Sequence, residues 1–138
     1  MLISVIGTGE TEQFCGRLCA QADHVRGIRE GADAVVFVLP DYYSRGLWEL
    51  RRWLGENRDR LRGTLCSCVC LSRTGGGGEL ALRSIVSELM RAQCLIYLCG
   101  VVCADGLIRT GGDPEICPGG MSIEDFCTKL RNMAEHFR

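Results

Sequence analysis

The chain has 138 residues, the size of a single domain, with sixteen basic and seventeen acidic side chains and a formal charge of −1. No run of either sign interrupts it, and gripping a nucleic-acid backbone takes a clustered basic face, so that partner class is set aside. The longest apolar stretch, Cys94 to Cys103, contains Gly100 and is half the roughly twenty residues of a membrane helix.

The amino terminus enters an apolar run, Leu2 to Ile6, with no basic leader before it. A protein without a signal peptide or membrane contact is expected, hence soluble and cytoplasmic. That first run is short and β-branched and ends at Gly7-Thr8-Gly9, which predicts a buried strand stopping at a tight loop. From Glu12, Phe14, Cys15, Leu18, Cys19 and Ala22 recur at helical spacing, with Thr11 placed to cap the start. Asp23 to Gly31 leaves room only for a stub of strand near His24-Val25 or a single turn.

Ala34 to Leu39 reads as a strand buried on both faces. About ten residues separate it from the first helix, too few for a full strand and helix, so one element of the alternation is abbreviated. Leu47, Leu50, Trp53 and Leu54 form the apolar stripe of a second helix that Gly63 stops. Thr64 to Leu71 is a third strand, Gly75 to Gly78 a glycine-rich loop, Leu80 to Met90 a third helix and Cys94 to Leu98 a fourth strand. Asp105 to Met121 reads as an irregular excursion. Ser122 caps a last helix with Ile123, Phe126, Leu130, Met133 and Phe137 inward. The alternation predicts one α/β domain over 1–138, a three-layer doubly wound parallel sheet with an abbreviated second strand and helix region.

Most of the ten cysteines lie in apolar segments, as buried thiols of a reducing compartment do. Cys66, Cys68 and Cys70 alternate on one strand, which spaces their sulfurs roughly 7 Å apart on one face, too far for direct bridging. Without a CxxC pair or an adjacent histidine, no metal site is expected. His24 and His136 read as solvated surface residues, and no side chain stands out as a catalytic acid, base or nucleophile.

In a doubly wound sheet a ligand sits beyond the carboxyl ends of the strands. Three loops there have distinctive compositions. Gly7-Thr8-Gly9-Glu10-Thr11 offers amides, hydroxyls and a helix amino end, which suits a phosphate, although a plain capped turn explains it equally well. Pro40-Asp41-Tyr42-Tyr43 offers rings for stacking on a flat heterocycle, with Tyr43 the one expected to pack under the following helix. Ser72-Arg73-Thr74-Gly75-Gly76 offers bare amides beside a cation.

Together these passages resemble the NADPH-dependent FMN reductase branch of the flavodoxin-like superfamily. Ile6 to Glu12 is similar to the phosphate loop T-x-T-G-x-T, with Ile6 in place of the first threonine. Ala32 to Tyr43, with the tryptophan-containing helix and Leu61-Arg62-Gly63, resembles ADAIVF-x-x-PEYN and the W-L helix and L-x-G-K after it. Ser72 to Gly78, with Leu82 and Leu89, resembles S-x-G-G-x-x-G-x-x-x-L-R. The resemblance implies that Thr8, Gly9, Glu10 and Thr11 surround an FMN phosphate, that Pro40, Asp41, Tyr42 and Tyr43 line the isoalloxazine, and that Ser72, Arg73, Thr74, Gly75 and Gly76 meet its other edge. Asp41 and Tyr43 stand where the family has Glu and Asn. The short region after Cys19 leaves the first strand near a sheet edge, which a second copy of the chain, in a homodimer, is one way to cover. The implied activity is an FMN-dependent oxidoreductase that takes hydride from NAD(P)H and reduces a small acceptor. An electron-carrier flavoprotein and a cofactor-free interaction domain on the same scaffold are the alternatives.

Overall fold

Apolar, largely β-branched segments too short for helices become the parallel strands of one sheet. In the computed structural model, which describes residues 1–72, 75–103, 114–117 and 119–137, these are β1 (Ile3–Gly7), β2 (His24–Arg26), β3 (Ala34–Leu39), β4 (Leu65–Ser72) and β5 (Leu95–Cys103). Their order is β2-β1-β3-β4-β5, and every pairing is parallel. The helices are α1 (Glu12–Cys19), α2 (Arg45–Glu56), the short α3 (Arg58–Leu61), α4 (Gly75–Arg91) and α5 (Ile123–His136).

The pleat divides the core. Ala34, Val36 and Val38 of β3 pack with Phe14, Leu18, Phe126 and Leu130, under α1 and α5. Val35, Phe37 and Leu39 pack with Leu47, Leu54, Ile85 and Leu89, under α2 and α4. Cys66, Cys68 and Cys70 share this second face, as their spacing requires. Burial pushes the Cys70 thiol up to about 12, and the neighbouring Cys99 together with burial raises that of Cys68. Protonated thiols of this kind are packing groups, poor as nucleophiles. Among the described residues five cysteines, 15, 66, 68, 70 and 127, are buried. Glu88, whose side chain is 8% exposed, is held by Arg51, Arg58 and Arg91 at 3.5, 3.3 and 2.9 Å, tying α2, α3 and α4 together.

Several expectations need correction. The stub of strand offered near His24-Val25 forms as β2, so β1 is flanked on both sides and the edge falls on the three-residue β2 instead of β1. The helix that should follow β2 is replaced by a loop. The Arg29 N–H donates to Ser4 Oγ at 3.0 Å, Asp33 N–H to Leu2 C=O at 2.8 Å, and Ile28 packs on the α2 side. A buried serine in β1 is thereby explained, since it supplies an acceptor that a helix would not need. The four glycines are not a loop but the first turn of α4. A Cβ on Gly78 would lie 2.7 Å from Val101 Cγ1 and 3.0 Å from Ser72 Cβ, so close approach of the helix to the sheet demands glycine there. β5 runs on past Leu98, which adopts φ 56° beside a register shift in the β4–β5 ladder. Phe137, expected inside, is 57% exposed because α5 ends at His136.

Within the excursion, residues 104–113 and 118 lie outside the described residues; beyond them β6 (Glu115–Ile116) and β7 (Met121–Ser122) form a hairpin. Cys117 exchanges two 2.9 Å backbone hydrogen bonds with Val101 and so covers part of β5's outer edge. Ser122 caps α5 as expected, its Oγ accepting from Asp125 N–H at 3.1 Å. Among the described residues no helix is long and apolar enough to cross a membrane.

His24 is buried, at 5% exposure, against the expectation of a surface residue. Its Nδ1–H donates to Ala22 C=O at 2.9 Å, and Nε2 has no partner among the described residues. Burial lowers its pKa. An unfolded histidine titrates near about 6.5, so between that value and the lower folded one the unfolded chain binds more protons and stability falls as pH falls. The urea midpoint is expected to drop between about pH 7 and pH 5, and His24→Gln to reduce that drop. Equal pH dependence in the two proteins would contradict the assignment.

Candidate functional site

The strand order reverses between β1 and β3. After β1 the chain turns to α1 on one face of the sheet, and after β3 to α2 on the other. The two loops thus leave the carboxyl ends of neighbouring strands toward opposite faces, the place where doubly wound sheets bind ligands.

The first loop is a tight unit. Thr8 is followed by a single 3-10 turn, Gly9–Thr11, that runs into α1. Thr11 is 1% exposed and turned inward. Its hydroxyl accepts from Thr8 N–H at 3.1 Å and donates to Thr8 C=O at 3.0 Å, with Val38 C=O at 3.5 Å. Thr11 holds the N-cap position of α1, but its side chain makes no cap bond. It shapes the loop from beneath. Directly below lies Gly7, where a Cβ would come within 2.4 Å of Thr11 Oγ1 and 2.7 Å of Cys15 Sγ.

Arg26 braces the loop from the edge strand. Its guanidinium donates to Val5 C=O and Gly7 C=O, both at 3.0 Å, and pairs with Glu12 at the start of α1. The hydrogen bond from Arg26 lowers the Glu12 pKa, so the pair is fully charged near neutrality. Nothing local in the sequence marks Arg26, because its contacts lie about twenty residues away across a strand pairing.

In the second loop Pro40 is buried, and Cys70 Sγ donates to its carbonyl at 3.4 Å. Asp41 and Tyr42 are half-buried, and Tyr42 packs against the α2-side core. Tyr43 does not go under the helix. It is 84% exposed, edge-on to Tyr42 at 5.1 Å, while Tyr42 lies 6.4 Å from Trp48. Leu47 and Leu50 already fill the space beneath α2, which leaves the second ring outside. Ser44 caps α2 by accepting from Gly46 N–H at 3.2 Å, and donates its own proton to Glu10.

The structure therefore joins the first two loops through Glu10 and Ser44. A Cβ on Gly46 would lie 2.8 Å from Glu10 Oε1 and 3.0 Å from Thr8 Oγ1, so both groups converge on the first turn of α2. Thr8 Oγ1 is buried and faces the Thr11 N–H in a capping box, but that proton goes to Thr8 C=O at 3.0 Å, and the hydroxyl makes no hydrogen bond of its own among the described residues. A buried hydroxyl left unpaired is costly, and a ligand oxygen would satisfy it. The third group of residues stands at the end of β4, on the far side of β3 from β1. Ser72 is buried beside Gly78, Gly75 and Gly76 lie in the first turn of α4, and Arg73 and Thr74 lie outside the described residues.

No family model matches the chain. A stretch of 72 residues is 31% identical to a flavodoxin from Clostridium saccharobutylicum, taking in 51% of this chain and 45% of that protein's length. The crystal structure of the flavodoxin, WrbA-like protein from Agrobacterium tumefaciens superposes with a TM-score of 0.69, over 99% of this chain and 98% of that one, at 13% identity. The fold is flavodoxin-like, a five-stranded parallel sheet between two layers of helices.

Gly7→Ala tests the construction of the first loop. The added Cβ must displace the Thr11 hydroxyl or the Cys15 thiol, and overpacking of this kind costs about 1–3 kcal/mol. A lowered urea midpoint is expected. An unchanged one would mean that Thr11 is not wedged over Gly7.

Proposed function

We propose that the protein is an FMN-binding flavoprotein of the NAD(P)H-dependent reductase kind, with the flavin phosphate at the first loop and the ring beside Tyr42. The observation that carries this reading is the unpaired Thr8 hydroxyl, buried at the mouth of a glycine-bearing turn where the strand order reverses. It fits a phosphate oxygen, and the first amides of a helical turn suit an anion, although that of Thr11 already donates to Thr8 C=O at 3.0 Å. Thr11 serves this site indirectly, by fixing Thr8, and Arg26 does the same from outside.

Tyr42 supports the ring. Its packing against the core and against Tyr43 and Trp48 presents a rigid aromatic edge at the end of β3. Bound FMN supplies the hydride and electron-transfer chemistry, and the chain's own residues bind and orient it. The likeness to a protein called flavodoxin favours a second reading, an electron carrier with no nicotinamide site.

Two measurements test the proposal. Thr8→Ala removes a charge-assisted hydrogen bond to phosphate and is expected to weaken FMN binding by about 1–3 kcal/mol, read by quenching of flavin fluorescence. Equal affinity in wild type and variant would place the phosphate elsewhere. Steady-state NAD(P)H oxidation by the FMN-loaded protein separates the two readings, because turnover supports the reductase and a loaded protein without turnover leaves the carrier.

A further inference from the structure

We propose that Glu10 is a built-in competitor for the ligand's phosphate, so that this site binds FMN hardly more tightly than riboflavin. The inference rests on the flavin reading above and concerns one carboxylate in the same site.

α2 has no acidic residue in its own first turn, although the amino end of a twelve-residue helix favours a negative charge. Glu10 supplies that charge from another loop. Its Oε2 accepts the Ser44 proton, and Ser44 is free to give that proton because its oxygen accepts from Gly46 N–H. Its Oε1 reaches the point above Gly46 to which Thr8 Oγ1 also comes. A carboxylate and the unpaired hydroxyl thus share one small volume.

A phosphate dianion arriving at Thr8 would meet this carboxylate, and like charges at such range disfavour one another. Arg26, on β2, does not offset the repulsion, because its guanidinium is occupied by Glu12 and by the carbonyls of Val5 and Gly7. For the phosphate to enter, Glu10 must let go of Ser44 and swing into solvent. Riboflavin, which has no phosphate, makes no such demand. Phosphate therefore adds attraction at Thr8 and repulsion at Glu10, and the two nearly cancel.

The test is a set of fluorescence-quenching titrations of FMN and of riboflavin against wild type, Glu10→Gln and Glu10→Lys at one ionic strength, with thermal midpoints recorded for each protein. Glu10 is exposed, so both variants are expected to fold. Wild type should bind the two flavins within about threefold of each other, and Glu10→Gln should tighten FMN by about tenfold, which is about 1.4 kcal/mol, while leaving riboflavin unchanged. Glu10→Lys should tighten FMN further and make its affinity fall with salt. Wild type that prefers FMN by about a hundredfold, or a Glu10→Gln variant whose FMN affinity is unchanged or lower, overturns the proposal while leaving the flavin reading in place. Failure of all three proteins to bind either flavin overturns both.

Discussion

The Thr11 hydroxyl is the contact on which the candidate site depends. It is buried, it closes a ring with the backbone of Thr8, and it leans on the carbonyl of Val38 in the neighbouring strand. By this contact the loop after β1 is tied to β3, so the two strands that flank the topological reversal also share a rim. With Thr11 facing inward, the Thr8 hydroxyl is buried against the first turn of α2 without a hydrogen bond of its own among the described residues. Shape and chemistry at this rim come from the same pair of threonines.

Around that contact the molecule is braced in layers. Arg26 holds the carbonyl side of the loop from the edge strand, and Cys70 holds the Pro40 carbonyl from within the sheet. Glu88 and its three arginines lock the helices on the α2 face. A scaffold stabilised in this way positions short loops with little freedom, which is what recognition of a phosphate and a flat ring requires. The protein omits the helix between β2 and β3 and fills the gap with a loop hung on Ser4 and Leu2. That economy falls on the α2 face near the amino ends of the strands and leaves the rim intact.

Periodicity made most of the fold legible. The buried run Ala34 to Leu39, the stripe of Leu47, Leu50 and Leu54, and the cap at Ser122 all have local signatures, and all are found where those signatures place them. What escaped was set by distant partners. The stub at His24-Val25 was open between strand and turn until pairing with β1 decided it, and the burial of His24, which was not foreseen, follows from the same pairing. Four glycines carry poor helix propensity, yet they begin α4, where Gly78 has to meet Val101 and Ser72. In the site, composition pointed to the glycine and threonine loop and to the paired tyrosines. It could not show that Thr11 faces inward, that Tyr43 stays outside, or that Glu10 reaches Ser44 across thirty-four residues of sequence.

Residue-resolved amide spectra recorded while FMN is added show where on the chain the flavin binds. A flavin held between the two loops gives its largest shifts on Thr8, Gly9 and Glu10 in one loop and on Tyr42, Ser44 and Gly46 in the other, saturating together. Shifts confined to other surfaces, or none at millimolar flavin, would contradict a ligand site at the reversal between β1 and β3.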